Sequence, residues 1–196
     1  MTDEKGRAFT GAAFSESVKS IQKTLGSRDM MSRMESLGDQ RNAIDENLAM
    51  FIAARTSIYL ATASKDGQPY VQHRGGPEGF IRIPDDRTLL IDDYPGNQQY
   101  ITLGNLSENP NAHLFMIDYE TKTRVKIWTK AEILNLESSG RAIRFHIKGW
   151  DINCNQHLPE YYSMKTVRAV TAKQVDRIQE LEQEVAELRA ALALKA

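Results

Sequence analysis

Hydrophobic residues along this chain change their period twice. In the first third they recur at helical spacing. Phe14, Val18, Ile21 and Leu25 form one face of a helix that Gly26 can end. Ile44, Leu48, Phe51 and Ile52 repeat the pattern up to Arg55. Between them, "GSRDMMSRMESLGDQ" is polar with scattered Met and Leu, and reads as a partner-contacting connection rather than core. From Ser57 the pattern becomes β-like. "SIYLATAS" runs into "KDGQP", whose Asp66-Gly67 is a strong hairpin signal, and "YVQHR" is the returning strand. "GFIRI" and "TLLID" flank "PDDR" as a second hairpin. "NQQYITLGNLSEN" predicts a short helix with Asn97 as its N-cap and Asn109-Pro110 beyond its end. "AHLFMIDY" and "RVKIWTKAEILNLE" flank "ETKT", and "AIRFHIKGW" is a last strand. From about Thr171 a charged helix follows, with Ile178, Leu181, Val185, Leu188 and Leu192 in three-four alternation.

Short strands joined by tight turns, with one helix inserted, predict a mainly β (α+β) fold built on a small antiparallel barrel. Parallel pairs need long crossovers, and most of these links are too short for them. The expected organisation is an N-terminal helical segment over 1–47, a barrel over 48–170 and a C-terminal charged helix over 171–196.

Composition narrows the partners. Hydrophobic residues make up 41% of the chain and charged residues 26%, as in soluble globular proteins. A formal net charge of -1 gives no broad electrostatic case for nucleic acid or an anionic membrane, so any positive charge that matters must be local. No apolar run is long enough to span a bilayer. "MTDEKGRAFTGAAF" has acids before its first basic residue and no apolar core segment, so it does not read as a secretory signal. Cys154 is the only cysteine, which excludes an intrachain disulfide. The expectation is a cytoplasmic protein.

Candidate chemistry is sparse. Cys154 and His157 have the spacing of a metal pair, but two ligands do not make a zinc site, so no metal is expected. His113 and His146 lie inside strand patterns, where a sheet-face role is the default. There is no P-loop, nucleophile elbow or HExxH. What remains is a set of polar residues at strand ends: Gln72, His73 and Arg74 on one strand, Asn97, Gln98 and Gln99 at a helix start, and Arg124 and Lys126 on another strand. Gly75 and Gly76 beside Arg74 would let a flat or anionic ligand approach the backbone. A helix N-terminus after "PGNQQ" offers backbone N–H groups to a phosphate, which Arg74 can grip with a forked guanidinium and Lys126 with a point charge.

The order "SIYLATASKDGQPYVQHRGGPEGF", "DDRTLLIDDYPGNQQYITLGNLSENPNAHLFMIDY", then "RVKIW" resembles the pyridoxamine 5′-phosphate oxidase-related FMN-binding split-barrel family. "GWDINCNQHLPEYY" resembles the Trp-rich closing segment of one bacterial branch of it. The similarity spans roughly Leu48 to Tyr162. It implies a six-stranded antiparallel split β-barrel, a homodimer, and FMN in two equivalent grooves between subunits. By position, Val71, Gln72, His73 and Arg74 would line the flavin and its phosphate. Asp92, Asp93 and Tyr94 would lie beside the ring or ribityl chain. Asn97, Gln98 and Gln99 would hold the phosphate, with Lys126 nearby. Relatives commonly carry Arg or Lys where this chain has Gln98, which removes a charge from the expected pocket and weakens the case for tight FMN retention.

The leading expectation is an FMN-dependent oxidoreductase acting on a small molecule, with a reduced nicotinamide as one candidate donor. His73, Tyr94 and His157 are the substrate-side candidates. True pyridoxamine phosphate oxidase activity is not expected, because a charged helix stands where the substrate motif would be. The alternative is a flavin carrier, sensor or haem-binding module on the same barrel, since split barrels host both kinds of function. A third reading is a dimeric interaction protein that has lost its cofactor.

Overall fold

The computed structural model describes residues 9–36, 41–136, 140–153 and 156–194. Four helices precede the sheet: α1 (Phe9–Ala13), α2 (Glu16–Thr24), α3 (Arg28–Ser36) and α4 (Glu46–Ala53). Ser15 caps α2 by accepting from the Val18 N–H, and Asp45 caps α4 by accepting from the Leu48 N–H at 2.7 Å. Only α4 of the predicted pair reaches the core, through Leu48 and Ile52. The stripe along α2 is helical but only partly covered: Phe14 and Val18 are half-buried, whereas Ile21 is 59% exposed and the C-cap Leu25 77%. The stretch expected to be a connection contains α3 instead. Arg28 at its start donates to Gln22 Oε1 at 2.5 Å and pairs with Glu35, tying α2 to α3. Because α3 buries none of its residues, no apolar period announced it.

The sheet contains β1 (Ser57–Ala63), β2 (Pro69–Gly75), β3 (Ile81–Asp85), β4 (Thr88–Asp93), β5 (Asn111–Asp118), β6 (Thr123–Leu136) and β7 (Gly140–Asn153), with α5 (Ile101–Glu108) between β4 and β5. Every pairing is antiparallel, and the order is β2-β1-β5-β6-β7-β4-β3. Seven strands therefore replace the six implied by the resemblance. Both arms of the "PDDR" hairpin pair, so β3 adds an edge strand beyond β4. The Asp66-Gly67 turn forms as predicted, with Gly67 at φ 86 and the Gly67 N–H donating to the Ser64 carbonyl at 3.0 Å. One face of the sheet is the core: Ile58, Leu60, Leu89, Leu114, Ile127 and Phe145 have no exposed surface, and Ile52 of α4 joins them. Each contributes about 2 kcal/mol by burial.

The chain forms two compact units, Met1–Asp118 with Thr123–Gln156, and Tyr119–Lys122 with His157–Ala196. The second unit is dominated by α6 (Met164–Ala193), which begins earlier than its hydrophobic repeat. Ser163 caps it by accepting from the Thr166 N–H at 3.0 Å, and the Glu120 carboxylate accepts from the Ser163 N–H and the Thr166 hydroxyl. Among the described residues, no helix is long and apolar enough to cross a membrane.

Candidate functional site

Alternation along β2 decides which side chains meet. Val71 and His73 lie on one face, whereas Gln72 and Arg74 lie on the other and are partly buried. β2 is an edge strand, and β4 stands next to the opposite edge. Yet Arg74 Nη1 donates to Asp93 Oδ1 of β4 at 2.8 Å, so the sheet curls until its two ends are joined by side chains. The other Asp93 oxygen accepts from Arg141 Nε at 3.1 Å, directly across the β4–β7 ladder. Asp93 and Arg74 are 6% and 13% exposed at the side chain, so the bridge is screened weakly. Two guanidinium groups on one carboxylate leave the cluster with a net positive charge.

The chain leaving β4 supplies the second wall. Asn97 does not cap α5 as expected. Its Oδ1 accepts from the Gln99 N–H at 3.2 Å, closing a local turn, and Gln98 takes φ 60. The N-cap position is Tyr100, left-handed at φ 53, whose side chain accepts no hydrogen bond from the first turn. Left-handed φ at two non-glycine residues costs on the order of 1 kcal/mol each, and such strain gathers where a backbone is shaped for a ligand. The helix start is held by Thr102, buried, whose hydroxyl donates to Gln72 Oε1 at 2.9 Å, and by Asn105, which donates to Thr62 at 3.0 Å. The Arg141 guanidinium lies 5.5 Å from the Tyr100 ring centroid.

These walls enclose a cleft of about 330 Å³. Of the predicted site residues, Gln72, His73, Arg74, Asp92, Asp93, Tyr94, Asn97 and Gln98 border it. Asp92 pairs with Arg82, and Tyr94 stands 75% exposed at the cleft. Val71, on the opposite face, and Gln99 do not line it. His73 borders the cleft, but its Nε2 lies 2.8 Å from Ser57 Oγ and its ring meets Tyr59 edge-on. Lys126 is also absent from the lining: its Nζ lies 3.6 Å from Asp151 and over the Trp128 ring, with Arg124 further along β6. His157 falls in the second unit, in an exposed turn at φ 60, and Cys154 lies outside the described residues. Among the described residues no cluster of three metal-ligating side chains occurs. Arg141, Tyr100 and Thr102 complete the cleft without having been anticipated, because only the strand register brings Arg141 opposite Asp93.

The glycines have a local reason. A Cβ on Gly76 would stand 2.6 Å from Phe80 Cβ, and one on Gly75 would stand 3.1 Å from the Thr56 carbonyl. Gly76 thus admits the Phe80 ring of its own chain, a role the expected clearance for a ligand did not include.

Within the cleft lining a buried polar atom is left over: Arg74 Nε has no hydrogen-bond partner among the described residues. With the uncapped start of α5 and the amides of Asn97 and Gln98 on the same cleft, the donor set suits a phosphate-like anion. It therefore fits the phosphate end of FMN.

No curated protein sequence matches the chain. Among solved structures, HupZ from Group A Streptococcus is similar at 16% identity and TM-score 0.47, covering 61% of this chain and 99% of its own. A pyridoxamine 5′-phosphate oxidase candidate from Lactobacillus delbrueckii shares 18% identity at TM-score 0.46, over 57% and 96%. HutZ, the haem storage protein of Vibrio cholerae, shares 15% at TM-score 0.39, over 56% and 94%. The family model for pyridoxamine 5′-phosphate oxidase matches residues 44–182. The chain belongs to the pyridoxamine 5′-phosphate oxidase family.

Proposed function

We propose that this protein is an FMN-dependent oxidoreductase acting on a small molecule, with the flavin held where two copies meet. The observation that carries this reading is the unpartnered Arg74 Nε beside an uncapped helix start, a pair of features suited to a phosphate. FMN, when bound, supplies the hydride chemistry. The chain's own residues bind and orient. Arg74 and the first turn of α5 take the anion, with Asn97 and Gln98 offering neutral donors. Asp93 fixes both arginines so that neither must be ordered on binding. Tyr94 and Tyr100 present aromatic surface at the cleft. Among the described residues no side chain stands out as an essential acid or base, and hydride transfer does not demand one.

The homodimer rests on the outer face of β2-β1-β5-β6. There Tyr59 meets His73 and Phe115, and His113 meets Trp128, forming a half-exposed aromatic surface that also carries Val71 and Lys126. Such a patch suits a second copy better than water. Lys126 would then approach the flavin from the partner side.

The test uses Gln98. Titrating the apoprotein with FMN should show that Gln98→Arg tightens binding about tenfold, near 1.4 kcal/mol, with the gain eroded by high salt. Riboflavin, which lacks the phosphate, should gain nothing. Equal strengthening of both ligands, or of neither, would remove the phosphate from this turn. A haem Soret band in the purified protein in place of flavin absorbance would overturn the cofactor itself.

A further inference from the structure

The 30 residues of α6 bury no side chain, although the helix is rich in branched apolar residues. Their placement is not scattered. With Ile178 and Val185 as positions a of a heptad, Met164 and Leu192 also fall at a, and Val167, Leu181 and Leu188 fall at d. Val170 falls at g and Val175 at e. Every exposed Met, Val, Ile and Leu residue of α6 lies at an a, d, e or g position. Exposure along the seam runs from 42% at Leu181 to 68% at Leu192. Thr171 and Gln174 interrupt it, so the apolar part is the stretch from Ile178 to Leu192.

The flanking charges name the occupant. In a parallel, in-register pair each g position faces the e position five residues later on the other helix. Those pairs are Val170 with Val175, Arg177 with Glu182, and Glu184 with Arg189: one apolar pair and two of opposite charge. Within its own helix Glu182 has no charged residue three or four positions away, and neither has Arg189. Glu184 has only Glu180 and Glu187 at those distances. Arg177 already pairs with Glu180 within its helix, but Glu182, Glu184 and Arg189 find no opposite charge three or four positions away and a matched use across two helices. The core residues agree, since β-branched Ile178 and Val185 at a with Leu181 and Leu188 at d favour two strands. A groove on the helix is bordered by Ile178, Leu181, Glu182 and Val185, the four residues that make the hole for an incoming Leu181.

We propose that α6 pairs with α6 of a second copy of this chain as a parallel, in-register, two-stranded coiled coil. This pairing is independent of the cofactor reading above.

Disulfide formation in the full-length chain, carrying Cys154→Ser, tests it. Leu192→Cys places a thiol in the seam, and Ala190→Cys places one on the outer face of the same turn. In a glutathione redox buffer Leu192→Cys should give a covalent dimer roughly tenfold faster or more than Ala190→Cys. Adding Glu182→Lys sets like charges against each other twice in the symmetric pair and should slow cross-linking about threefold or more. Adding Arg177→Glu as well should restore it. Equal rates for the two cysteine positions would overturn the pairing, and so would a Glu182→Lys effect that Arg177→Glu fails to reverse. An antiparallel pair, which separates the two copies of residue 192, gives the first of these outcomes. FMN binding measured on the same samples reports the cleft separately, so loss of either property leaves the other readable.

Discussion

His113 lies on β5 with its imidazole edge-on to the Trp128 indole, ring centroids 4.8 Å apart. Burial removes water that would solvate an imidazolium, and the nearby Lys126 ammonium repels it. Together they push its pKa from 6.5 down to about 4. The unfolded chain binds a proton at this residue below about pH 6.5, while the folded chain does not until near pH 4. The contribution of His113 to folding stability therefore falls as pH drops through that window and is constant above it. Denaturant titrations of the protein and of His113→Phe between pH 7 and 4 should show a shallower decline for the variant. Matching declines would mean that His113 takes up its proton in the folded state as readily as in the unfolded one. Arg74 shows the limit of reading residues singly. The chain suggested a cation for a ligand, and the fold gives it that opportunity through Nε while committing Nη1 to Asp93.

Elements were legible where burial or turn chemistry leaves a periodic mark. The Asp66-Gly67 hairpin and the buried Leu48-Ile52 face of α4 follow directly from residue type and spacing. α3 left no such mark, since it is held to α2 by Arg28 and buries nothing. Asn97 resembled a cap because it is a good one in general, but a left-handed Tyr100 moved the helix start beyond its reach. The start of α6 was hidden for a similar reason: Ser163 caps a first turn that precedes the continuous hydrophobic repeat. Ser163→Ala should destabilise that helix end by about 0.5–1 kcal/mol, the low part of the usual range, because Glu120 still accepts from the backbone there. Circular dichroism should record a lower helix content on heating, and an unchanged melting curve would show the cap to be redundant.

At the scale of the sheet, strand types and turns were readable, but curvature was not. Arg74 and Asp93 lie on strands that are not neighbours in the order β2-β1-β5-β6-β7-β4-β3, so no local pattern could couple them. The cleft exists because the sheet bends far enough for that bridge to form. Asp93→Ala should cost about 3 kcal/mol, the low end for breaking a buried pair, since it leaves the largely buried Arg74 and the one-third-exposed Arg141 without their shared carboxylate. A loss below about 1 kcal/mol in chemical denaturation would mean that the arginines find other partners.

That bridge has a consequence in time as well as in energy. β6 is hydrogen-bonded to strands on both sides, whereas β2 is bonded only to β1 and meets β4 through side chains. Separating one ion pair and the Thr102–Gln72 hydrogen bond is a far smaller event than unzipping a ladder, so β2 can swing away from β4 and return while the remaining strands stay closed. Amide protons of β2 should then trade with deuterium long before those of β6, and Asp93→Ala should hasten β2 more than any strand bonded on both sides. The wall of the cleft is thus also its door, latched by the Asp93 carboxylate and by the Thr102–Gln72 hydrogen bond.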